Sequence, residues 1–341
     1  SGDDMHDDSL LVLGAGEIDS LLAGRESEVM DLVGRAYVAH GKGQSSLPHS
    51  TFLRFPEDDV NRIIALPAFL GDGFGVAGMK WIASFPGNVK KGMARASAVM
   101  VMNSVETGRP EALLEGSLIS AQRTAASAAL AARLLQQDRV PETVGLIGTG
   151  VINREIVRFL RAALPGIPKL QLFDLDTDRA AAFAEQLREV SGGAEVALAS
   201  DVDSVLRSCQ VVSFATSAVR PHVTDLSMCP PGATILHISL RDLTAEATLA
   251  GDNIVDDPDH VCRAQTSVHL AEQLTGSRSF IRCTLADILA GTAPPRRDET
   301  SVAIFSPFGL GVLDLAVGKL ALDQARAQRR GTRLASFLPA G

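Results

Sequence analysis

The sequence carries little that would mark it for a membrane, a secretory route or a metal. No apolar run among its 341 residues approaches the roughly 20 needed to cross a bilayer. No basic segment leads into an apolar one, so no secretion signal is expected. Ser1-Gly2 reads as the remnant of a removed tag, and the acidic start through Asp8 is expected to be loose. The four cysteines, Cys209, Cys229, Cys262 and Cys283, lie far apart and form no Cys-x-x-Cys. That pattern argues against a disulfide framework or a zinc site and fits reduced thiols in the cytoplasm. The seven histidines show no metal-ligand spacing either, so no metal is expected, and His260 beside Cys262 reads as ordinary surface or core. Excess positive charge is also lacking. The formal net charge of -8 argues against a general nucleic-acid binder, and the basic cluster from Arg326 to Arg333 reads as a solvated helix end.

What is present is enough apolar residue, 46%, for a sizeable core in two domains. From Leu146 onward strands and helices alternate. Apolar segments at Val144–Ile147, Leu170–Phe173, Glu195–Leu198, Gln210–Ala215, Thr234–Ile238, Asn253–Val255 and Val302–Phe305 predict strands. Ile152–Leu164 and Arg179–Val190 predict helices between them, which together is the pattern of a doubly wound parallel sheet of the α/β class. The earlier part differs. A helix from about Glu26 to Gly41 precedes strand-like segments at Ser50–Phe55, Arg62–Leu66, Gly75–Ile82 and Ser97–Asn103, separated by Gly and Pro turns, which predicts an antiparallel or mixed sheet. An Ala-rich helix, Ser120 to Gln136, joins the two regions. A last helix, Gly311 to about Gln328, could return to the first region and make it discontinuous. Pro294-Pro295-Arg296-Arg297 reads as an exposed loop.

The stretch from Thr143 to Asp174 is the most specific. It reads as a strand ending in Gly148-Thr-Gly150, a helix opening with Val151, Ile152 and Asn153, and a second strand ending in Asp174. Two glycines let the backbone approach a pyrophosphate, whose charge meets the helix N-terminus. An acid at the second strand end accepts the ribose hydroxyls and repels a 2′-phosphate, which favours NAD over NADP. The third glycine of the full fingerprint is replaced by Asn153. Asp174, with Asp176 and Asp178, could instead cap a helix, and Arg179 nearby leaves NADP open.

Two further groups of residues could carry chemistry. Lys80 stands beside the single tryptophan, Trp81, in an apolar strand. Burial and nearby arginines such as Arg123 would lower its pKa and make it a usable acid or base. Alternatively its stem packs while the ammonium reaches water. Arg123 could grip a carboxylate with both nitrogens or pair with Glu115. Past a core strand lies His237-Ile-Ser239-Leu-Arg241-Asp242. There Asp242 could activate water at the carboxyl end of the sheet, or cap a helix beginning near Thr244.

Together the segments Gly78–Asn88, Gly116–Leu134, Thr143–Asp174 and Thr234–Glu246 resemble the ornithine cyclodeaminase/μ-crystallin family in matching order along nearly the whole chain. The resemblance implies a Rossmann NAD domain over residues 131–310 and a discontinuous α+β substrate and dimerisation domain over residues 1–130 and 311–341. It further implies homodimers paired through the N-terminal sheets. By the same resemblance Lys80 and Arg123 match substrate contacts, Asp242 the catalytic aspartate, and Thr216 and Ser239 residues near the cofactor. Two departures from true cyclodeaminases stand out: Arg95 replaces a threonine, and Glu246 a lysine. Lys80-Trp-Ile-Ala-Ser-Phe-Pro-Gly-Asn, Arg95-Ala-Ser, Ser239-Leu-Arg-Asp242-Leu and Ser306-Pro-Phe-Gly-Leu-Gly look like the branch of N-(2-amino-2-carboxyethyl)-L-glutamate dehydrogenases. That branch implies 2,3-diaminopropionate synthesis for siderophores or peptide antibiotics. Its substrate bears three carboxylates, so an extra Arg95 suits it, with Arg54 and His49 as further candidate carboxylate contacts. Alternatives within the resemblance are an ornithine cyclodeaminase, a ketimine reductase or amino-acid dehydrogenase, and a μ-crystallin-like ligand-binding protein.

Overall fold

The structure is a computed structural model and describes residues 7–340. The acidic start expected to be loose lies outside them up to residue 6. Asp7 and Asp8 are described and paired with Arg333 and Arg109, at 2.7 and 2.5 Å. In chain order the first elements are β1 (Leu10–Leu13), α1 (Ala15–Leu22), α2 (Glu26–Gly41), β2 (Ser45–Ser46), β3 (Thr51–Phe55), β4 (Asp58–Leu70), β5 (Val76–Ser84), β6 (Ala96–Asn103), β7 (Pro110–Glu115) and α3 (Ser117–Leu135). Next come β8 (Thr143–Ile147), α4 (Val151–Ala163), β9 (Lys169–Phe173), α5 (Thr177–Val190), β10 (Glu195–Leu198), α6 (Val202–Ser208), β11 (Val211–Phe214), β12 (Thr234–His237) and α7 (Ala245–Leu249). The chain finishes with β13 (Asp252–Val255), α8 (Pro258–Val261), α9 (Ser267–Thr275), β14 (Ile281–Thr284), α10 (Leu285–Leu289), β15 (Ala303–Ser306), α11 (Gly311–Gln328) and β16 (Thr332–Leu334).

The chain divides into two compact units. One takes the residues up to Arg25, Ala39–Arg123 and everything from Leu310; the other takes Glu26–Val38 and Thr124–Gly309. The first unit holds a mixed sheet in the order β16-β1-β7-β6-β5-β4-β2, with β3 on β4. Only β1 and β7 run parallel in it. Side chains of a strand alternate between faces. In β5, Lys80 therefore shares a face with its register partners Leu66 and Met100, while Trp81 shares the opposite face with Ala65 and Val99. α11 covers the Lys80 face, where a Cβ on Gly318 would lie 3.0 Å from Met100 Cε. Residues 311–318 of this helix, and Leu320–Leu322 after them, are buried and mostly apolar, and its exposed polar residues gather in the last turns.

The second unit is a wholly parallel sheet in the order β10-β9-β8-β11-β12-β15-β13-β14. The chain reverses its direction of travel across the sheet between β8 and β11, which makes the carboxyl ends of these two strands the switch point where ligands bind in such folds. The α/β class and the doubly wound sheet are as the sequence pattern implies. The core under β11 and β12 is built from Val205, Leu206, Val212, Phe214, Ile235, Leu243 and Ile304. Each such buried side chain contributes about 1.5–3 kcal/mol.

Three expectations need correction. First, α2 does not belong wholly with the first unit: its residues Glu26–Val38 fall in the second. Tyr37 Oη bonds Ser127 Oγ at 2.6 Å, Gly34 lies against Leu130, and Glu26 is ion-paired with Arg158. Second, the loop over residues 294–297 is exposed at Pro294 and Arg297 but not at Arg296. Arg296 is 8% exposed and donates to the carbonyls of Leu135, Ala233 and Ser301, which binds that turn to the sheet. Third, β1, β2, β7, β14 and β16 were not expected. Among the described residues no helix is long and apolar enough to cross a membrane, and no group of side chains is arranged to hold a metal. The four cysteines are free and buried.

Candidate active site

In the first unit three elements converge on one ion cluster. Lys80 from β5, Arg123 from α3 and Asp314 from the first turn of α11 are 2%, 11% and 1% exposed at their side chains. Lys80 Nζ donates to Asp314 Oδ1 at 3.0 Å and to Ser120 Oγ at 2.9 Å. Arg123 Nε donates to the same Asp314 oxygen at 3.0 Å. The partner of Arg123 is therefore Asp314 rather than Glu115, whose carboxylate receives the Ser117 and Leu118 amides at the start of α3. The snorkelling alternative for Lys80 does not apply, since its ammonium is enclosed. Burial, then Arg123, pushes that ammonium down to about 8, against the pull of Asp314. Two cations to one carboxylate leave the cluster with one positive charge when Lys80 is protonated. An enclosed excess cation attracts an anionic ligand.

The other proposed carboxylate contacts are not drawn into this cluster. Arg95 is exposed and its Nε reaches Ser84 Oγ at 3.4 Å. Arg54 is exposed on β3, its guanidinium 5.6 Å from the Phe52 ring. His49 is exposed before that strand.

In the second unit the carboxyl ends of β9, β8, β11 and β12 stand side by side. Gly148 follows β8 with φ 98°, and a Cβ there would meet the Ala215 carbonyl oxygen at 2.2 Å. Only glycine fits both the backbone and the space. Gly150, the residue before α4, has nothing within 4 Å of its Cβ position. α4 carries no side-chain cap at Gly150, so the amides of its first turn are left for an outside acceptor. Val151 is exposed and Ile152 half-buried behind it. Asn153 is fully buried: its amide nitrogen donates to the carbonyls of Ile147 and Gly148, and its oxygen accepts from Ser213 Oγ at 2.7 Å. Its side chain thus braces the glycine turn from behind.

Asp174 Oδ2 accepts from Thr149 Oγ1 at 2.7 Å, which ties the acid to the glycine turn. The cap of α5 is Asp176, not Asp174. Open space at Gly150, free amides and an acid at the second strand end fit the pyrophosphate and ribose of NAD.

Asp242 lies just past β12 and is fully buried. Its Oδ1 accepts from Thr216 Oγ1 at 2.5 Å and is 2.8 Å from His222 Nε2. Its Oδ2 accepts from Ser239 Oγ, and its backbone amide donates to His237 Nε2 at 3.1 Å. Burial alone would raise its pKa, but the hydrogen bond from His222, the His237 ring beside Oδ2 and the hydrogen bond from Ser239 outweigh that and hold it far below the usual carboxylate range. A carboxylate so fully satisfied is a poor proton acceptor. It is not a helix cap either, since Thr244 caps α7 itself. Thr216 and Ser239, expected near the cofactor, both spend a hydrogen bond on Asp242. Sequence reasoning missed Asp314 and His222. Asp314 has no local motif, and His222 lies in a long connection whose pairing with Asp242 depends on the bridge between Val223 and Leu243.

A parallel sheet with a glycine turn at its switch point defines a dinucleotide-binding unit, here in a chain that also encloses a lysine–arginine–aspartate cluster. The profile of the ornithine cyclodeaminase/mu-crystallin family matches residues 13–329, and the chain belongs to that family. It is 26% identical over 331 residues to N-((2S)-2-amino-2-carboxyethyl)-L-glutamate dehydrogenase of Staphylococcus aureus, with 95% of this chain and 98% of the relative aligned. Among solved structures it is similar to Thermococcus litoralis Delta(1)-pyrroline-2-carboxylate reductase in complex with NADH and L-proline. That likeness has a TM-score of 0.87 and 25% identity, and covers 95% of this chain and 99% of that one. An archaeal alanine dehydrogenase dimer with bound NAD gives a TM-score of 0.85 at 25% identity, over 96% of this chain and 100% of that one.

Proposed function

We propose that this chain, an NAD-dependent dehydrogenase acting on a CH–NH bond, uses N-(2-amino-2-carboxyethyl)-L-glutamate as its substrate. The secondary ammonium substrate, NAD⁺ and water would become 2-oxoglutarate, L-2,3-diaminopropionate in its ammonium form, NADH and one proton, with NAD⁺ accepting the hydride from the glutamate Cα. The observation that carries the reading is the enclosed cluster of Lys80, Arg123 and Asp314 with its excess cation. Arg123 retains terminal guanidinium nitrogens for a substrate carboxylate while its Nε is held by Asp314. Arg95 adds a second guanidinium for a polyanion, and Arg54 and His49 are further candidates. Lys80 can donate or accept a proton near neutral pH, because burial has brought it to about 8. The amides at Gly150–Ile152 and the carboxylate of Asp174 hold the dinucleotide. Thr216, Ser239 and His222 fix Asp242, whose charge stabilises a protonated neighbour at the strand ends.

The test is absorbance of NADH with NAD⁺ and each candidate substrate. Sustained NADH with the glutamate adduct, accompanied by 2-oxoglutarate, is expected. Ammonia and proline from ornithine without net NADH would overturn this in favour of a cyclodeaminase. Tight binding without turnover of any substrate would favour a ligand-binding protein.

The same reading assigns a homodimer. The face of the first sheet opposite α11 exposes Leu53, Trp81 and Val99, an apolar surface of the kind that obligate interfaces cover. Light scattering of Trp81→Lys should then show monomer where the native chain shows dimer; an unchanged mass would remove that face as the interface.

A further inference from the structure

Among the described residues, Asp242 has a partner whose other side is free. His222 donates Nε2–H to Asp242 Oδ1 at 2.8 Å, because a carboxylate held this far into its ionised range can only accept. In the neutral ring, Nδ1 then carries the lone pair. No described group bonds Nδ1, and the side chain is 37% exposed while Asp242 is 0% exposed. The ring is held on several sides. Its backbone amide donates to the Asp242 carbonyl at 2.9 Å, and Phe214 packs 6.3 Å from it, centre to centre. The charged groups around it are few. Asp242 faces it, and His237 lies behind Asp242, 3.5 Å from Oδ2. Arg241 turns to the Ala264 carbonyl, Glu246 opens α7, and Arg220 and Asp225 flank His222 in its own segment. A buried carboxylate, an oriented imidazole and an open second nitrogen form an arrangement that moves protons in hydrolytic enzymes.

We propose that His222, oriented by Asp242, is the general base and acid of this enzyme; the proposal rests on the dehydrogenase reading above. Nδ1 takes a proton from water as its oxygen bonds to the imine carbon. The imidazolium formed, stabilised by Asp242, gives that proton to the amine nitrogen; as the C–N bond breaks, Nδ1 takes the proton of the carbinol hydroxyl, the carbonyl forms, and the freed amine then takes up that proton. Asp242 is then a positioning residue.

The experiment uses the full-length protein, first assayed for NADH with the glutamate adduct, alanine and proline. No NADH from any of them would overturn the dehydrogenase reading and this proposal with it. Given turnover, His222→Gln should lower kcat/KM by about 10²–10⁴-fold, leave NADH binding by fluorescence unchanged, abolish the acid limb of the pH profile and regain activity with added imidazole. A retained acid limb would return the base role to another group and overturn the proposal. A readout independent of activity is ¹⁵N NMR of the imidazoles in the native chain. The neutral ring of His222 should carry its proton on Nε2 and lose that preference in Asp242→Asn; a proton on Nδ1 in the native chain would overturn the assignment.

Discussion

Asp314 in the first unit and Asp242 in the second are equally buried, yet they are partnered by opposite kinds of group. Asp314 is met by an ammonium and a guanidinium. Asp242 is met by hydroxyls and an imidazole nitrogen and, among the described residues, by no lysine or arginine. The first arrangement is an ion cluster with an excess cation, whose charge changes when Lys80 titrates. The second keeps a single negative charge and converts it into the orientation of neighbouring groups. One is suited to attracting an anion, the other to governing a proton. Asp256 supplies a control for both. It is 2% exposed but receives only backbone amides, Asp257 N–H at 2.8 Å and Gly309 N–H at 2.9 Å. Burial outweighs those amides and pushes its carboxyl up to about 6.

The largest effect should come from breaking the ion cluster. Asp314→Asn leaves two enclosed cations without an anion and should cost about 3–5 kcal/mol in chemical denaturation. Replacing Lys80 with Met in the same chain should recover much of that. If Asp314→Asn is neutral, Coulomb attraction is not what holds this region together.

Asp256 should give a smaller, pH-dependent effect. Its folded-state value is raised, so the folded chain binds the extra proton between about 4 and about 6. The stability it contributes is fully present below that window and lost as pH rises through about 6, by on the order of 2–3 kcal/mol. Asp256→Asn should flatten that slope in thermal melts. An unchanged slope would show that this carboxylate is as well satisfied by hydrogen bonds as Asp242.

The smallest effect should be that of Thr149→Ala. Losing one hydrogen bond to Asp174 should weaken NADH binding by about 0.5–1.5 kcal/mol, read by fluorescence titration. A loss above about thirtyfold, roughly 2 kcal/mol, would mean that Thr149 shapes the glycine turn as well as the acid.

Local pattern carried much of the fold into view. The alternation after Leu146 marked most strands of the parallel sheet, and α11 begins at Gly311 and ends at Gln328 as its composition suggests. β7 escaped because Pro-Glu-Ala-Leu-Leu-Glu is rich in helix formers; pairing with β1 and β6 overrides that preference. β14 escaped because four residues, only two of them apolar, make too short a signal. In the candidate site, Gly148, Asp174, Lys80 and Asp242 stand in segments whose neighbours announce them. Asn153 was visible as a departure from the glycine fingerprint. That it braces the turn was not, since Ser213 reaches it only in the folded sheet.

By itself the sequence determined most strands of the parallel sheet and the helices α4, α5 and α11, where a glycine turn meets a helix, and which residues can carry charge. These follow from periodicity and backbone sterics, which act over a few neighbouring residues. Tertiary structure alone decided that Lys80 and Arg123 share Asp314 and that Asp242 holds His222 by a side chain it does not expose. The energy of a charge depends on the groups folding places within a few ångströms of it, and those groups come from distant parts of the chain.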